Sequence, residues 1–138
     1  MSKKEEIVKE ARSWIGTRYR HQSCTKGQGC DCAGLIRACM KVGGIEYDNA
    51  WNYSRIPHSP TLRKKLNEYL IRIPFSDLGA GDILLFRIYQ EPCHLAIYSG
   101  KNSIIHAFAK GPRKVAETRL DESWRQKIMG CYRIPGVE

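Results

Sequence analysis

The chain has 138 residues, of which 42% are hydrophobic and 27% are charged. This length suits one ordinary domain, and the composition excludes wholesale disorder, a collagen-like chain and a coiled coil. Lys and Arg outnumber Asp and Glu by 23 to 14, and the resulting formal net charge of +9 favours an anionic partner. The cations are scattered apart from the run at 63–65, and no nucleic-acid-binding motif accompanies them. We therefore expect no nucleic-acid partner.

Residues 1–14 are charged throughout and contain no apolar signal-peptide region. No apolar run approaches the roughly 18 residues of a membrane span. We therefore expect the chain to be made in the cytoplasm and to have no membrane span. In that compartment its six cysteines are not expected to form a disulfide framework.

The cysteine spacing is also unlike that of a zinc site, because one residue separates Cys30 from Cys32. The sequence predicts no metal and no cofactor. Cys39 and Cys131 stand in apolar settings and are predicted to be buried thiols.

Three helices are predicted in the first half of the chain. Ser2 and Glu5 form a capping-box signature. The first helix then runs to Gly16 with the apolar residues Ile7, Val8, Ala11, Trp14 and Ile15.

After a polar loop at 17–29, Asp31 is the predicted cap of the second helix, which ends at Gly43-Gly44. Its apolar residues are Leu35, Ile36, Cys39, Met40 and Val42. An irregular stretch leads to a third helix that begins near Ser59-Pro60. The apolar residues of this third helix are Leu62, Leu66, Tyr69 and Leu70.

The second half of the chain changes to strand patterns. A buried strand is predicted at 82–89, and a β-hairpin at 94–98 and 103–108. Weaker strand patterns lie at 115–118 and 129–134. Helices followed by antiparallel strands predict an α+β fold with one domain over residues 1–138, in which the N-terminal helices pack on a central sheet.

Cys32 is the residue best placed for chemistry. With Asp31 as the cap, Cys32 lies in the first turn of the second helix, where unpaired backbone N–H groups carry a partial positive charge. That environment favours a thiolate and can also receive an oxyanion. Because most cysteines are unreactive, its position alone favours the alternative of a half-buried structural thiol.

His94 and His106 flank the turn of the predicted hairpin. A loop of odd length, such as 100–102, places both side chains on one face within hydrogen-bonding reach, whereas the two-residue loop 101–102 places them on opposite faces unless a bulge intervenes. The chain order of cysteine, histidine and histidine matches a nucleophile, its general base and a group that orients the base. His21 and His58 lie in loops and are assigned no chemistry.

Five segments resemble those of the NlpC/p60-type cell-wall cysteine peptidases and follow the family's order. They are GTRY at 16–19, DCAGLI at 31–36, AGDILLF at 80–86, HLAIYSG at 94–100 and IHA at 105–107. The lead-in GCDC at 29–32 and the missing secretion signal are most similar to the phage and gene-transfer-agent branch.

The resemblance implies a papain-like α+β fold and cleavage of peptidoglycan stem peptides, commonly between γ-D-glutamyl and diaminopimelate or Lys. It implies that Cys32 is the nucleophile, His94 the base and His106 the orienting residue. Tyr19 and Asp31 match positions that bind the stem peptide or shape the site in relatives. Ala33, at a third position assigned to substrate binding, replaces a frequent serine, and Arg18 replaces a frequent proline, so the substrate preference is expected to differ.

Two alternatives remain open beside the peptidase. One is a thiol amidase or acyltransferase of the same fold with a substrate other than peptidoglycan. The other is a catalytically idle basic module that binds the wall. For a peptidase without a secretion signal, incorporation into a phage-like tail or release through a holin would give access to the wall, so phage-like tail proteins are expected as possible partners.

Overall fold

The computed structural model describes residues 2–45, 61–88 and 91–137. In this part of the chain, four α-helices and eight strands follow one another with a single turn of 3₁₀-helix between β3 and β4. They are α1 (Lys3–Ser13), β1 (Cys24–Thr25), β2 (Gly29–Cys30), α2 (Cys32–Val42), α3 (Thr61–Tyr69), β3 (Ile71–Ile73), the 3₁₀ turn (Phe75–Asp77), β4 (Ile83–Ile88), β5 (Glu91–Tyr98), β6 (Ser103–Ala107), β7 (Val115–Arg119), α4 (Glu122–Arg125) and β8 (Ile128–Arg133).

The central sheet has six strands in the order β3-β8-β4-β5-β6-β7, and every neighbouring pair is antiparallel. Two buried clusters line it. The larger cluster joins α1 and α2 to side chains such as Ile83 and Leu85, and the smaller cluster contains Leu84 and Phe86. Because successive residues of a strand point to opposite sides of a sheet, β4 contributes alternately to the two clusters. The predicted α+β fold, with N-terminal helices and a central antiparallel sheet, is confirmed.

The predicted capping of the first two helices is also confirmed. The Glu5 N–H donates to the Ser2 hydroxyl at 3.2 Å, and the Asp31 side chain caps α2. The prediction that Ile15 belongs to the apolar face of α1 is wrong. Ile15 is 47% exposed, because the helix ends at Ser13 and helical spacing no longer sets the direction of the Ile15 side chain.

Several short elements differ from the prediction. The hairpin β1–β2 lies largely within the predicted loop at 17–29 and extends to Cys30, and β3 and α4 were not predicted. These segments have two to four residues and too few positions to show a periodic pattern. The predicted helix start at Ser59-Pro60 and the strand residue Tyr89 lie outside the described residues. No helix in the described ranges combines the length and hydropathy needed to cross a bilayer.

An ion pair with a buried carboxylate connects β8 to the turn before its neighbour β4. Arg133 on β8 donates through Nε and a terminal nitrogen to the two carboxylate oxygens of Asp82, at 2.9 and 2.8 Å. Asp82, which precedes β4, is only 1% exposed and also accepts the Gly79 N–H at 2.8 Å. This carboxylate therefore holds β8 against the turn that leads into β4.

We predict that Asp82→Ala lowers the free energy of unfolding by about 2 kcal/mol, because the variant removes two hydrogen bonds of the half-buried Arg133 guanidinium and the acceptor of the Gly79 N–H. The matched control is Arg12→Ala, which removes the more exposed Arg12–Glu117 pair and should cost less than about 1 kcal/mol. Urea unfolding followed by circular dichroism measures both. Equal losses in the two variants would contradict the structural role of the Asp82 pair.

Candidate active site

Asp31 fixes the position of Cys32 at the start of α2. Its carboxylate is fully buried, and its two oxygens accept different backbone N–H groups: Oδ1 from Gly34 at 2.8 Å and Oδ2 from Gln22 at 2.6 Å. One side chain therefore caps the helix and also anchors the preceding loop. Cys32 is placed in the first helical turn, as predicted, and its side chain is 7% exposed.

Gly34 allows that loop to lie directly on the first turn of α2. A Cβ atom at this position would stand 2.3 Å from the Ser23 carbonyl oxygen and 3.3 Å from the Cys24 Cβ. No side chain fits at such distances, so only glycine permits this approach. The loop and the helix start therefore form one tightly packed unit around Cys32.

The hairpin β5–β6 brings His94 and His106 together. Its pairs Ile97–Ile105 and Tyr98–Ile104, and the hydrogen bond from the Ser99 N–H to the Ser103 carbonyl, leave the three-residue loop 100–102. This odd loop length places both histidines on one face, as one of the two predicted registers requires. His94 Nε2 lies 2.8 Å from His106 Nδ1.

The hydrogen-bonded line continues from His106 to β7. His106 Nε2 lies 2.9 Å from Thr118 Oγ1. If His94 Nε2–H donates to His106 Nδ1, the neutral His106 carries its own proton on Nε2 and donates it to Thr118. His94 Nδ1 then has a free lone pair. The opposite arrangement puts a proton on His94 Nδ1, so only the first arrangement leaves His94 able to accept a proton there.

Aromatic rings surround the two imidazoles. The Trp124 ring, in α4, lies 5.6 Å from the His94 ring and 5.2 Å from that of His106, and the Phe108 ring lies 4.8 Å from His94. His94 and His106 are 4% and 3% exposed. Burial holds the pKa of His94 well below its ordinary value, and the neighbouring His106 lowers that pKa further. Burial lowers the pKa of His106 to about 4. Both rings are therefore neutral at pH 7.

Four cysteines other than Cys32 are poor nucleophiles. Burial raises the pKa values of Cys24, Cys30 and Cys39, and it raises that of Cys131 to about 11. Cys39 and Cys131 are buried as predicted, at 0% and 2% exposure. These four cysteines and Cys32 are free thiols. Within the described ranges, no three His, Cys, Asp or Glu side chains are arranged to hold a metal ion.

The predicted site residues fall into three groups. His94 and His106 are in direct contact beside the smaller buried cluster, whereas Cys32 belongs to the larger one and opens the helix α2, which packs against β5 and β6. Tyr19 is half-buried and pairs with Cys30 of β2, two residues before Cys32. Ala33 is fully buried, like Asp31.

Thr118 and Trp124 were missed by the sequence reasoning. Thr118 pairs with Ile104 and so shares a face with His106, which a known β6–β7 register would have revealed. Trp124 lies in a four-residue helix that carries no periodic signal.

Comparisons with known proteins identify the family. The NlpC/P60 family matches residues 16–133, which is most of the chain. The chain therefore belongs to the NlpC/P60 family.

Two curated relatives have names that state an enzymatic activity. The murein DD-endopeptidase MepS/murein LD-carboxypeptidase of Escherichia coli K12 is 31% identical over 132 residues, which cover 95% of this chain and 63% of that protein. The probable peptidoglycan endopeptidase LytE of Bacillus subtilis is 28% identical over 134 residues, covering 93% of this chain and 34% of LytE. The chain thus spans less than two thirds of either relative.

A solved structure agrees with the fold. The peptidoglycan hydrolase RipB of Mycobacterium tuberculosis superposes with a TM-score of 0.71 at 17% identity, covering 99% of this chain and 65% of RipB. At this level of identity the likeness supports the architecture alone.

Because His94 and His106 are buried and neutral, we predict that the protein loses stability in acid. The unfolded chain protonates its histidines near pH 6.5, whereas folded His106 resists protonation until about pH 4. Below pH 6.5 the unfolded state therefore binds more protons, and the free energy of unfolding falls as the pH falls from 6.5 towards 4. Urea unfolding across this range measures the slope.

A His106→Gln variant is the control for this slope. It removes one of the two buried imidazoles, so its unfolding free energy should depend less steeply on pH between 6.5 and 4. An unchanged slope would show that the buried His106 ring is not responsible.

Proposed function

We propose that this domain is a peptidoglycan hydrolase, a cysteine endopeptidase that cleaves amide bonds of stem peptides. The observation that carries the proposal is the hydrogen-bonded line from His94 through His106 to Thr118. The two histidines belong to β5 and β6, the strands against which the Cys32 helix packs. Membership of the NlpC/P60 family and the peptidoglycan activities named for its relatives support the substrate class.

In the proposed reaction, the Cys32 thiol gives its proton to His94 Nδ1 and the sulfur attacks the amide carbonyl carbon. The carbonyl oxygen takes the negative charge and lies against backbone N–H groups at the start of α2. The Gly34 N–H is not one of these, because it donates to Asp31. As the tetrahedral intermediate collapses, the C–N bond breaks and His94 protonates the departing amine, which leaves a thioester on Cys32.

Water completes the cycle. His94, again neutral, accepts a proton from water as its oxygen attacks the thioester carbonyl carbon. The C–S bond then breaks, and the protonated His94 returns its proton to the sulfur. His106 does not exchange a proton with the substrate in this scheme; it keeps His94 in the tautomer whose Nδ1 accepts one.

We assign the scissile bond to γ-D-glutamyl–diaminopimelate or γ-D-glutamyl–Lys, and substrate contact to Tyr19. The support for Tyr19 is its half-buried position beside Cys30. Asp31 and Ala33 are assigned to shaping this site from within, since both side chains are fully buried.

We further propose that the domain acts at the wall as a component of a phage-like or gene-transfer-agent particle. The support for this proposal is the GCDC lead-in at 29–32. The chain should then be found by mass spectrometry in purified particles.

Cys32→Ala is predicted to reduce stem-peptide cleavage to background while the fold is retained, because the variant removes the attacking sulfur. His94→Ala should lose more activity than His106→Ala, since His94 transfers protons and His106 orients it. Mass spectrometry of digested sacculi gives both the rate and the bond cleaved.

A folded Cys32→Ala protein that still cleaves muropeptides would contradict thiol catalysis. Two other outcomes identify the alternatives. Turnover of acyl-lipid or other amide substrates in place of muropeptides would identify a thiol amidase or acyltransferase, and no turnover with retained wall binding would identify an idle module.

Thr118→Val is predicted to lower kcat by about tenfold, equivalent to roughly 1.4 kcal/mol, with little change in KM. Valine matches threonine in shape but cannot accept the His106 Nε2–H, so the productive tautomer of the histidine pair is no longer favoured. Thr118→Ser keeps the oxygen and should stay within about twofold of the wild type.

Imidazole ¹⁵N chemical shifts separate this positioning role from a merely structural one. The wild type and Thr118→Ser should show a protonated Nε2 on both histidines, and Thr118→Val should show a mixture of tautomers. Equal kcat values and equal spectra for the Val and Ser variants would remove Thr118 from the site.

A further inference from the structure

A short ribbon of backbone runs beside the Cys32 loop. Residues 16–20 lie between two other segments: Arg18 pairs with Lys114 in an antiparallel bridge, and Tyr19 pairs with Cys30 in a parallel one. Hydrogen bonds hold both sides, with the Tyr19 N–H donating to the Arg113 carbonyl at 2.8 Å and the Cys30 N–H to that of Arg18 at 2.9 Å.

Three cations share one face of this ribbon. Arg18 and Lys114 are directly opposite each other and so point the same way, and Arg20 follows Arg18 by two residues in extended chain. The stem of Arg20 crosses Gly29, where an added Cβ would stand 2.9 Å from Arg20 Cδ. All three side chains are exposed. We call Arg18, Arg20 and Lys114 the cation row.

The cation row is electrostatically unfavourable in the free protein. Like charges directly opposite each other on paired strands destabilise the pairing. The ion pairs found within the described ranges use other cations, among them Lys3, Lys26 and Arg133, and none involves the cation row. A bound anion would relieve this repulsion.

The row is close in the chain to the proposed nucleophile. Arg18 and Arg20 flank Tyr19, whose bridge partner Cys30 is two residues from Cys32, and the alternation of extended chain turns the Tyr19 side chain to the opposite face from the row. A polymer substrate extends well beyond its scissile bond, so one part of it can contact the three cations while another part lies at Cys32. Peptidoglycan stem peptides carry free carboxylates, and guanidinium groups bind carboxylates in a planar, two-point geometry.

We propose that Arg18, Arg20 and Lys114 form a binding surface for the carboxylates of peptidoglycan peptides. This inference rests on the proposed function and names the substrate groups that lie outside the scissile bond. The row increases the affinity for the wall polymer and takes no part in bond cleavage.

The test measures binding of the full chain, made inactive by Cys32→Ala, to insoluble sacculi by co-sedimentation at low salt. In that background, Arg18→Gln/Lys114→Gln is compared with Arg63→Gln/Lys64→Gln, which neutralises one Arg and one Lys on the exposed surface of α3. Both double variants lower the formal net charge from +9 by two, to +7. General charge effects are therefore matched.

The cation-row variant should bind about fivefold more weakly than its Cys32→Ala parent, because it loses two exposed ion pairs with the polymer. The α3 variant should bind as tightly as that parent. Sacculi whose carboxylates have been converted to amides should bind the Cys32→Ala chain about as weakly as untreated sacculi bind the cation-row variant. Equal binding by the two double variants, or no effect of amidation, would overturn the proposal. Loss of binding to sacculi stripped of phosphate-linked polymers by hydrofluoric acid would assign the row to phosphate and also overturn it.

Two further measurements keep the outcomes separate. Urea unfolding should show that Arg18→Gln/Lys114→Gln is at least as stable as its parent, because a repulsion has been removed. A less stable variant would contradict the repulsion between the cations of the row. If the wild type fails to cleave sacculi while the two double variants still differ in binding, the hydrolase proposal fails and the cation row stands.

Discussion

The site depends on burying two imidazoles as a neutral, hydrogen-bonded pair. The contact of 2.8 Å between His94 Nε2 and His106 Nδ1 satisfies one nitrogen of each ring, and Thr118 satisfies the far nitrogen of His106. Because the surrounding Phe86, Phe108 and Trp124 rings exclude water, an imidazolium here is costly in the absence of a nearby negative charge. In the proposed mechanism, the thiolate formed on proton transfer supplies that charge.

Rigid local geometry holds both the histidine pair and the start of α2. On β5 and β6, the three-residue loop uses left-handed backbone at Gly100 and Asn102, with φ values of +93° and +60°, and Gly100 also packs closely on Ala80. At the start of α2, Asp31 and Gly34 fix the helix and its preceding loop by two hydrogen bonds and one close approach. Neither end of the proposed site relies on a long, loosely held side chain.

Much of this arrangement follows from local sequence signals, and the remainder depends on long-range pairing. The Asp31 cap acts within a few residues, so it could be read directly. The alternation around His94 and His106 left two loop lengths open, and the structure has the three-residue loop that puts both histidines on one face. Thr118 reaches the site through a strand that pairs with β6, and the Arg18–Lys114 bridge connects distant segments. These pairings between distant segments depend on tertiary packing, and local patterns in a single sequence do not predict them.

The central claim is that His94 is the base for the Cys32 thiol, and the pH dependence of Cys32 alkylation tests it most directly. Iodoacetamide labelling, quantified by peptide mass spectrometry, should modify wild-type Cys32 at pH 7 well before the half-exposed Cys24. In His94→Ala, Cys32 should react much more slowly at pH 7, because no imidazole accepts its proton, and its rate should rise with pH. The same rate and pH profile in the wild type and in His94→Ala would contradict the account.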